Sequence, residues 1–242
     1  VRQVVRQKLF VNVILFGVAM TILGIVVSNI TFGFQDRVIR SIGLTGVCIA
    51  LDLMAILVSV GLVHGEIERR TLFVILTRPV SRLEYVAGRY LGLVAVLGVV
   101  LASLSAVLCI VLLLVGADLT IQDLIALAAM LPEAAVLGAV GLVFSTFSTP
   151  TLSTGLSIGV WLISASTDDL VGLTPADAPF RPLVQVMSYV FPSLARFNFR
   201  DPAVYLIPIL TTEVAVTFAY GAVFCAAMVL LAGIILSRRE MV

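Results

Sequence analysis

The chain has 242 residues, of which 61% are hydrophobic and only 12% are charged, and its formal net charge is +1. A mean hydropathy of +1.19 excludes an ordinary soluble domain, and the near-neutral charge gives no reason to expect a nucleic-acid partner. We therefore expect one all-α membrane domain over residues 1–242, a polytopic protein with little chain left over for a second domain.

The first element is the basic start VRQVVRQKLF followed by a long apolar run. This start has the positive flank of a signal peptide. However, the apolar run is too long for a signal peptide, and no small-residue cleavage pattern follows it. We expect a retained signal anchor.

Six apolar runs follow along the chain, most of them about twenty residues long, the length that spans ~30 Å of hydrocarbon. They lie near residues 9–30, 42–63, 90–115, 124–147, 151–166 and 213–236, and the fifth is shorter. Most of the 15 Lys and Arg residues lie at the two termini or between the second and third runs. The positive-inside rule therefore predicts that both termini are cytoplasmic.

Between the second and third runs lies the charged stretch GEIERRTLFVILTRPVSRLEY, residues 65–85. At 100° per residue, residues 71–78 form a short amphipathic helix. Pro79 ends this helix, and the capping box SRLE predicts that a new helix begins at Ser81. Two interpretations remain open, a loop resting on lipid headgroups and a docking element for a cytoplasmic partner. The apolar side of the helix consists of Leu72, Phe73, Ile75 and Leu76.

The stretch EIERRTLFVILTRPVSRLEYVAGRYLG resembles the segment after the second span in ABC (ATP-binding cassette) type-2 transporter permeases. The basic N-terminus, YVFPSLARFNFRD before the last run, SRRE at the end and the six-span count extend the resemblance over most of the chain. Within the family it looks most similar to the six-span permeases that include the one serving nitrous oxide reductase maturation. The matching positions are Glu66, Glu68, Thr71, Leu76, Pro79, Ser81, Arg82 and Gly88.

The resemblance implies a half-transporter, an exporter subunit of the bacterial cytoplasmic (inner) membrane. Two permease copies, or a copy and a paralogue, would pair in the membrane. Two copies of a separate ABC ATPase would bind below and hold ATP and Mg. The sequence contains no G-x-x-x-x-G-K-[ST] motif, so we expect the ATPase activity in that partner. We expect no catalytic, cofactor or metal site in this chain.

The resemblance also assigns parts to three segments. Residues 1–8 would be an interfacial helix on the inner leaflet, residues 66–82 a cytoplasmic coupling segment seated in the ATPase, and residues 167–212 a set of outer re-entrant helices. The alternative for the last segment is a loop resting on the outer surface. The coupling residues would be Glu66, Glu68, Arg69, Arg70, Thr71, Leu72, Phe73, Leu76, Arg78, Pro79, Ser81 and Arg82.

Two carboxylates, Asp52 and Glu133, lie near the middle of their runs, where an ionised carboxylate costs at least ~2.5–3.5 kcal/mol. Pro132 is expected to interrupt the helix ladder beside Glu133. The carboxylates either line the transport route, attracting a cationic group or carrying a proton, or they are neutral or form hydrogen bonds between helices. If they carry protons, a proton-coupled secondary transporter becomes the alternative function, although no internal repeat is visible.

Several glycines and cysteines carry weaker signals. Residues 155–159, GLSIG, match the G-x-S-x-G of hydrolases, with His64 as a conceivable base, but also match G-x-x-x-G, a helix-packing face. Because no strand–turn–helix context surrounds them, an intramembrane hydrolase is only a remote alternative. The glycine pairs at 61–65 and 88–92 indicate close packing in the same way. Cys48, Cys109 and Cys225 are expected to be small buried apolar side chains.

Overall fold

The computed structural model describes residues 8–30, 35–67, 82–173 and 191–238, and this part of the chain is all-helical. It contains seven α-helices and one 3-10 helix. The α-helices are α1 (Lys8–Ile30), α2 (Gln35–Ile67), α3 (Arg82–Val115), α4 (Ile121–Phe147), α5 (Pro150–Leu173), α6 (Arg200–Tyr205) and α7 (Thr211–Arg238), and the 3-10 helix is Leu194–Phe197.

Every predicted apolar run forms a helix. By length and composition, four helical stretches in the described part are long and apolar enough to cross a membrane, which confirms a polytopic membrane protein. They are Gln35–Leu62, Leu83–Val115, Ile121–Phe147 and Thr211–Leu236. The runs near 9–30 and 151–166 form α1 and α5, and α1 contributes a shorter apolar stretch, Leu15–Val27.

Helices α2 and α4 form the centre of the bundle. They pack against each other, α1 and α3 pack on α2, α7 packs on α4, and α5 contacts both central helices. Glycines allow the close approaches: a methyl group placed on Gly138 of α4 would lie 2.7 Å from Cδ2 of Leu93. Such contacts are typical of membrane helices, whose association depends on close packing of small residues.

The glycines that bring helices together differ from the ones that the sequence indicated. At Gly61, Gly88, Gly92, Gly155 and Gly159, an added methyl group would have no atom of the described residues within 4 Å. Among the described residues, the expectation that these five glycines mark close packing is therefore wrong. The short approaches lie instead on the faces that α1, α2 and α4 turn toward their neighbours, at Gly17, Gly43, Gly46, Gly138 and Gly141.

A short turn connects α3 to α4 and is fixed by backbone geometry and a cap. Gly116 has a φ of +81°, a left-handed conformation that favours glycine. The backbone N–H of Thr120 then donates to Oδ2 of Asp123 over 3.0 Å, which is half of a capping box at the start of α4. The expected interruption at Pro132 is wrong, because α4 continues through this residue to Phe147.

Between residues 191 and 210 the described part of the chain contains two short helices, and residues 167–173 of the predicted outer segment belong to α5. The 3-10 helix and α6 both pack on α4, and α6 also packs on α2. Phe197 is buried against α7, where a methyl group on Gly221 would lie 3.2 Å from its ring. This segment therefore reaches into the bundle.

Two predicted elements lie outside the described residues. The basic N-terminal segment falls there except for Lys8, where α1 begins. The coupling helix at 71–78 also falls there, together with Pro79 and the cap at Ser81. On its two sides, α2 continues to Ile67 and α3 begins at Arg82, one residue after the predicted cap.

Candidate functional site

The two mid-span carboxylates meet at the centre of the bundle. Asp52 lies on α2 and Glu133 on α4, and the two residues are only 2% and 3% exposed. One oxygen of each carboxylate and Sγ of Cys48 all lie within 4.8 Å of one another. The packing of α2 on α4 thus creates a buried acidic cluster, which we call the carboxylate–thiol cluster (Cys48, Asp52 and Glu133).

The Cys48 thiol connects the two carboxylates. Its Sγ lies 3.6 Å from Oδ2 of Asp52 and 3.6 Å from Oε2 of Glu133, within hydrogen-bond distance of both. Cys48 and Asp52 are four residues apart and therefore share one face of α2. The expectation that Cys48 is only a small apolar side chain is thus wrong, because its sulfur contacts two acidic groups.

Helix α5 contributes the only tryptophan of the chain to this cluster. The indole Nε1–H of Trp161 donates to Oδ2 of Asp52 over 3.0 Å. Oδ2 therefore has two potential donors, while Oδ1 of the same carboxylate is buried with no hydrogen-bond partner among the described residues. A buried carboxylate oxygen without a partner is unusual in a folded protein.

A guanidinium from outside the two central helices interacts electrostatically with the cluster. Arg200 is the first residue of α6, the short helix that packs on both α2 and α4. Its Nε donates to Oδ1 of Asn198 over 3.0 Å, and Nδ2 of Asn198 donates to Asp201 over 2.9 Å. These bonds hold Arg200 in place through its own segment.

Arg200 is the cation that interacts with the cluster. Burial alone would lower the pKa of its guanidinium, but the nearby acidic groups Cys48, Glu133, Asp52 and Asp201 outweigh this effect and raise the pKa above its ordinary value. Arg200 therefore stays charged, and it partly compensates the two carboxylates that α2 and α4 bury.

A line of buried hydroxyls continues from the cluster along the contact between α2, α4 and α5. Ser59 donates to the carbonyl of Ile56 over 2.9 Å, and Ser157 donates to the carbonyl of Ser153 over 2.8 Å. Gly141 of α4 lies against both, because a methyl group there would overlap Oγ of Ser59 and lie 3.4 Å from Oγ of Ser157. The three helices therefore leave no room for a substrate along this line in the described conformation.

The hydrolase alternative finds no support at Ser157. This residue lies inside the continuous helix α5, is buried, and uses its hydroxyl on its own backbone. A nucleophile elbow requires a sharp turn between a strand and a helix. The side chain of His64 lies outside the described residues.

A second buried charge pair lies at the N-terminal end of α4. The Arg40 side chain lies 3.6 Å from Oδ2 of Asp123 and also donates to the backbone carbonyl of Asp118. Asp123 caps α4 through Thr120, with 2.8 Å between the hydroxyl and Oδ2. Arg40 thereby ties α2 to the turn between α3 and α4, a structural role that leaves the carboxylate–thiol cluster as the candidate site.

The predicted site residues thus fall into two groups. The structure brings Asp52 and Glu133 together and adds three residues that the sequence reasoning missed: Cys48, Trp161 and Arg200. The i, i+4 spacing of Cys48 and Asp52 could have indicated the first of them. Among the coupling residues, Glu68 through Ser81 lie outside the described part, and for Glu66 and Arg82 only the helical backbone is described.

Comparison with known proteins agrees with a membrane protein built from long apolar helices. The family model described as "ABC-2 family transporter protein" matches residues 27–241, nearly the whole chain. A comparison with curated protein sequences found no match.

Long apolar helices of this kind define the chain as an integral membrane protein. The chain belongs to the ABC-2 family of transporter proteins. Members of this family are the transmembrane permease component of an ABC transporter rather than its nucleotide-binding subunit, and they work in general with an ABC ATPase. The resemblance seen in the sequence is confirmed at this level.

Proposed function

We propose that the chain is the permease subunit of an ABC type-2 exporter in the bacterial cytoplasmic membrane. A separate ATPase hydrolyses ATP with Mg, and six helices of this chain, α1 to α5 and α7, cross the membrane. The family match over residues 27–241 is the observation that carries this proposal.

The coupling segment at residues 66–82 is where the ATPase docks. Helices α2 and α3 flank it and have 33 and 34 residues. At 1.5 Å per residue each is about 50 Å long, well over the ~30 Å of the hydrocarbon core. The apolar run near residues 42–63 ends four residues before the helix does. This length supports a segment held beyond the bilayer, within reach of a soluble subunit.

The coupling proposal is tested by placing a charge on the apolar side of residues 71–78. Phe73→Asp should weaken binding of the ATPase at least about tenfold, since burial of one such side chain contributes roughly 1.5–3 kcal/mol and a buried charge adds a desolvation cost. Val74→Asp, on the opposite side of the helix, is the matched control. The measurement is the amount of ATPase that co-purifies with each variant, together with transport per ATP hydrolysed.

Equal ATPase recovery from Phe73→Asp, Val74→Asp and the parent chain would contradict the coupling role and leave a loop that only satisfies the positive-inside rule. Ser81→Ala gives a graded comparison. It should cost about 1 kcal/mol at the start of α3. We expect it to loosen coupling between hydrolysis and transport more than it weakens docking.

Two copies of the permease form the membrane part of the transporter in this proposal. Support comes from the helices at the edge of the bundle: only 28% of the apolar stretch in α7 and 39% of that in α3 is buried within one chain. Crosslinking in native membranes should trap a dimer or a pair with a paralogue. A complex with one permease chain and its ATPase would contradict this arrangement.

The buried pair Asp52 and Glu133 supports proton-coupled secondary transport as the second candidate function. The two functions differ in what the chain does without an ATPase. Proton flux driven by substrate in vesicles that contain only this chain would favour the second candidate. Dependence of transport on the ATPase, with Asp52→Asn and Glu133→Gln changing the substrate stimulation of ATP hydrolysis, would favour the exporter and a place for both carboxylates on the route.

A further inference from the structure

We propose that the carboxylate–thiol cluster is a binding site for one divalent transition-metal ion, with Sγ of Cys48 and one carboxylate oxygen each from Asp52 and Glu133 as its protein ligands. The ion that suits these ligands is Zn²⁺ or a metal of similar softness, such as Co²⁺. The site concerns this chain alone and does not depend on which ATPase it binds.

The two sulfur–oxygen distances match a tetrahedral zinc site, and the two carboxylate oxygens lie within 4.8 Å of each other. A tetrahedral Zn²⁺ with Zn–S near 2.3 Å and Zn–O near 2.0 Å places sulfur and oxygen ligands about 3.5 Å apart. In the structure, Sγ of Cys48 lies 3.6 Å from Oδ2 of Asp52 and 3.6 Å from Oε2 of Glu133. The side chains therefore need little rearrangement to bind a metal between them.

The kind of donors selects the metal. Thiolate sulfur is a poor ligand for Mg²⁺ and Ca²⁺, which prefer oxygen, whereas two carboxylates are poor ligands for Cu⁺. A mixed set of one sulfur and two oxygens suits a borderline ion such as Zn²⁺. Binding replaces the thiol proton of Cys48, which leaves to solvent as the sulfur–metal bond forms.

Charge balance supports a divalent ion. The thiolate and the two carboxylates carry three negative charges, and Arg200 interacts electrostatically with all three groups. A divalent cation together with Arg200 neutralises them completely. A neutral cluster is the least costly arrangement in the middle of a membrane bundle, where uncompensated charge is strongly disfavoured.

Two further features are independent of the donor distances. Oδ1 of Asp52 is a buried carboxylate oxygen that no described residue satisfies, although the residue as a whole is only 2% exposed. The Trp161 indole donates to Oδ2 of the same carboxylate. Such a donor fixes the orientation of a metal-binding carboxylate in the way that outer hydrogen bonds do at known sites.

The proposal is tested with the purified full-length chain, in detergent or lipid nanodiscs, after treatment with a chelator. Equilibrium dialysis with Zn²⁺ should give one tightly bound ion per chain, and Co²⁺ should give the absorption of a thiolate-bound tetrahedral ion. Cys48→Ala should weaken Zn²⁺ binding more than about 100-fold and abolish the Co²⁺ absorption. Trp161→Phe should weaken binding by roughly 10–100-fold.

Cys109→Ala and Cys225→Ala are the matched controls and should bind Zn²⁺ like the parent chain. Zn²⁺ should also raise the unfolding temperature of the parent and of both controls but not that of Cys48→Ala, which shows that a loss of binding is not a loss of folding. Weak binding in the millimolar range by the parent, or equal binding by parent and Cys48→Ala, would overturn the metal site. The cluster would then be a proton-bearing contact between helices.

Discussion

The central helices α2 and α4 differ from the edge helices α3 and α7 in how much of each helix is buried and in where each helix carries charged side chains. In α4, 78% of the most apolar stretch is buried within the chain, and in α2 the share is 67%, against 39% in α3 and 28% in α7. The buried acidic side chains Asp52, Asp123 and Glu133 all lie on α2 or α4. The less buried helices carry charge only near their ends, at Glu84, Arg89 and Glu213 among the described side chains.

This difference shows where a membrane bundle can hold charge. Lipid tails are as apolar as a leucine side chain, so burial against another helix brings no hydrophobic gain over lipid. Close packing and polar contacts must hold the helices together instead. Polar groups can be satisfied only where other helices surround them on all sides, which is the situation of α2 and α4.

The largest effect should come from removing the cation beside the carboxylates. Arg200→Met leaves Asp52 and Glu133 without their compensating charge and should destabilise the chain by roughly 3 kcal/mol, as expected when one partner of a buried charge group is lost. Arg196→Met is the matched control: this exposed side chain lies over the Tyr220 ring of α7, 5.3 Å from its centroid. Its loss should cost no more than about 1 kcal/mol.

Denaturation of both variants in mixed detergent micelles, with the chelated chain as reference, measures these two effects. If the two arginine variants lose the same stability, the central helices do not depend on Arg200. The carboxylates would then be neutralised within their own helices.

The next effect concerns packing rather than charge. Gly141→Ala places a methyl group against Ser59 of α2, where even Cβ of that serine lies 3.3 Å away, and should cost about 1–3 kcal/mol. Gly98→Ala on α3 has no atom of the described residues within 4 Å of the added methyl group. We expect it to be neutral or slightly stabilising, because alanine favours the helix over glycine by up to about 1 kcal/mol.

The thermal midpoints of the two alanine variants provide the comparison. A neutral Gly141→Ala would show that α2 and α4 approach each other less tightly than the structure indicates. It would also mean that a substrate has room along the line of hydroxyls at Ser59 and Ser157.

The helices themselves were predictable from the sequence, whereas their partners were not. Apolar runs of membrane length are a one-dimensional signal, and each of the six runs forms a helix, although α2 begins at Gln35 and α3 at Arg82, several residues before the expected spans. Hydropathy marks the apolar part of a helix. It does not mark the polar turns that continue the same hydrogen-bond ladder.

The carboxylate–thiol cluster was predictable only in part. The cost of charge in a bilayer singled out Asp52 and Glu133, but the pairing partners came from distant parts of the chain. Trp161 is 109 residues from Asp52, and Arg200 belongs to a short helix whose sequence contributed only to the family resemblance. The hydropathy pattern of a sequence does not tell which helix faces which. The contacts of Trp161 and Arg200 with the cluster could therefore be found only from the three-dimensional structure.

Pro132 is a second case in which the sequence alone was insufficient, because it predicted a helix break that the structure does not contain. Proline removes one backbone donor, and the sequence therefore indicated an interruption of α4. The helix continues, and the proline packs against α7, where a methyl group on Gly221 would lie 3.3 Å from its Cβ. Neighbouring helices can stabilise a proline-containing span in ways that a single segment does not reveal.

A smaller effect should follow from a hydrogen bond that ties the edge helix α3 to the central helix α4. The hydroxyl of Tyr90 donates to the carbonyl of Ala135 over 3.1 Å. Tyr90→Phe removes this bond, together with the contact of the hydroxyl with Cys225, and should cost about 0.5–1.5 kcal/mol. Tyr205→Phe, at a residue that is 61% exposed, is the control and should stay within about 0.5 kcal/mol of the parent.

Unfolding of both phenylalanine variants under the same conditions decides whether α3 depends on the Tyr90 hydroxyl. An unchanged Tyr90→Phe would mean that this hydroxyl does not hold α3 against the central helices. The contrast between central and edge helices would then be sharper than the structure indicates.

The smallest effect should distinguish the two faces of α7. Val229 is 8% exposed and Val223 is 71% exposed on the same helix. Val229→Ala leaves a void between packed helices and should cost about 1 kcal/mol. Val223→Ala should change the stability of the isolated chain by less than about 0.5 kcal/mol, because lipid or detergent fills the space that the two methyl groups leave.

If a second permease copy covers this face of α7, as the proposed half-transporter allows, Val223→Ala should instead reduce the crosslinked dimer in native membranes while the isolated chain keeps its stability. A dimer that survives Val223→Ala, with a stability loss equal to that of Val229→Ala, would mean that α7 is buried on both faces within the chain, and the contrast between central and edge helices would not extend to α7.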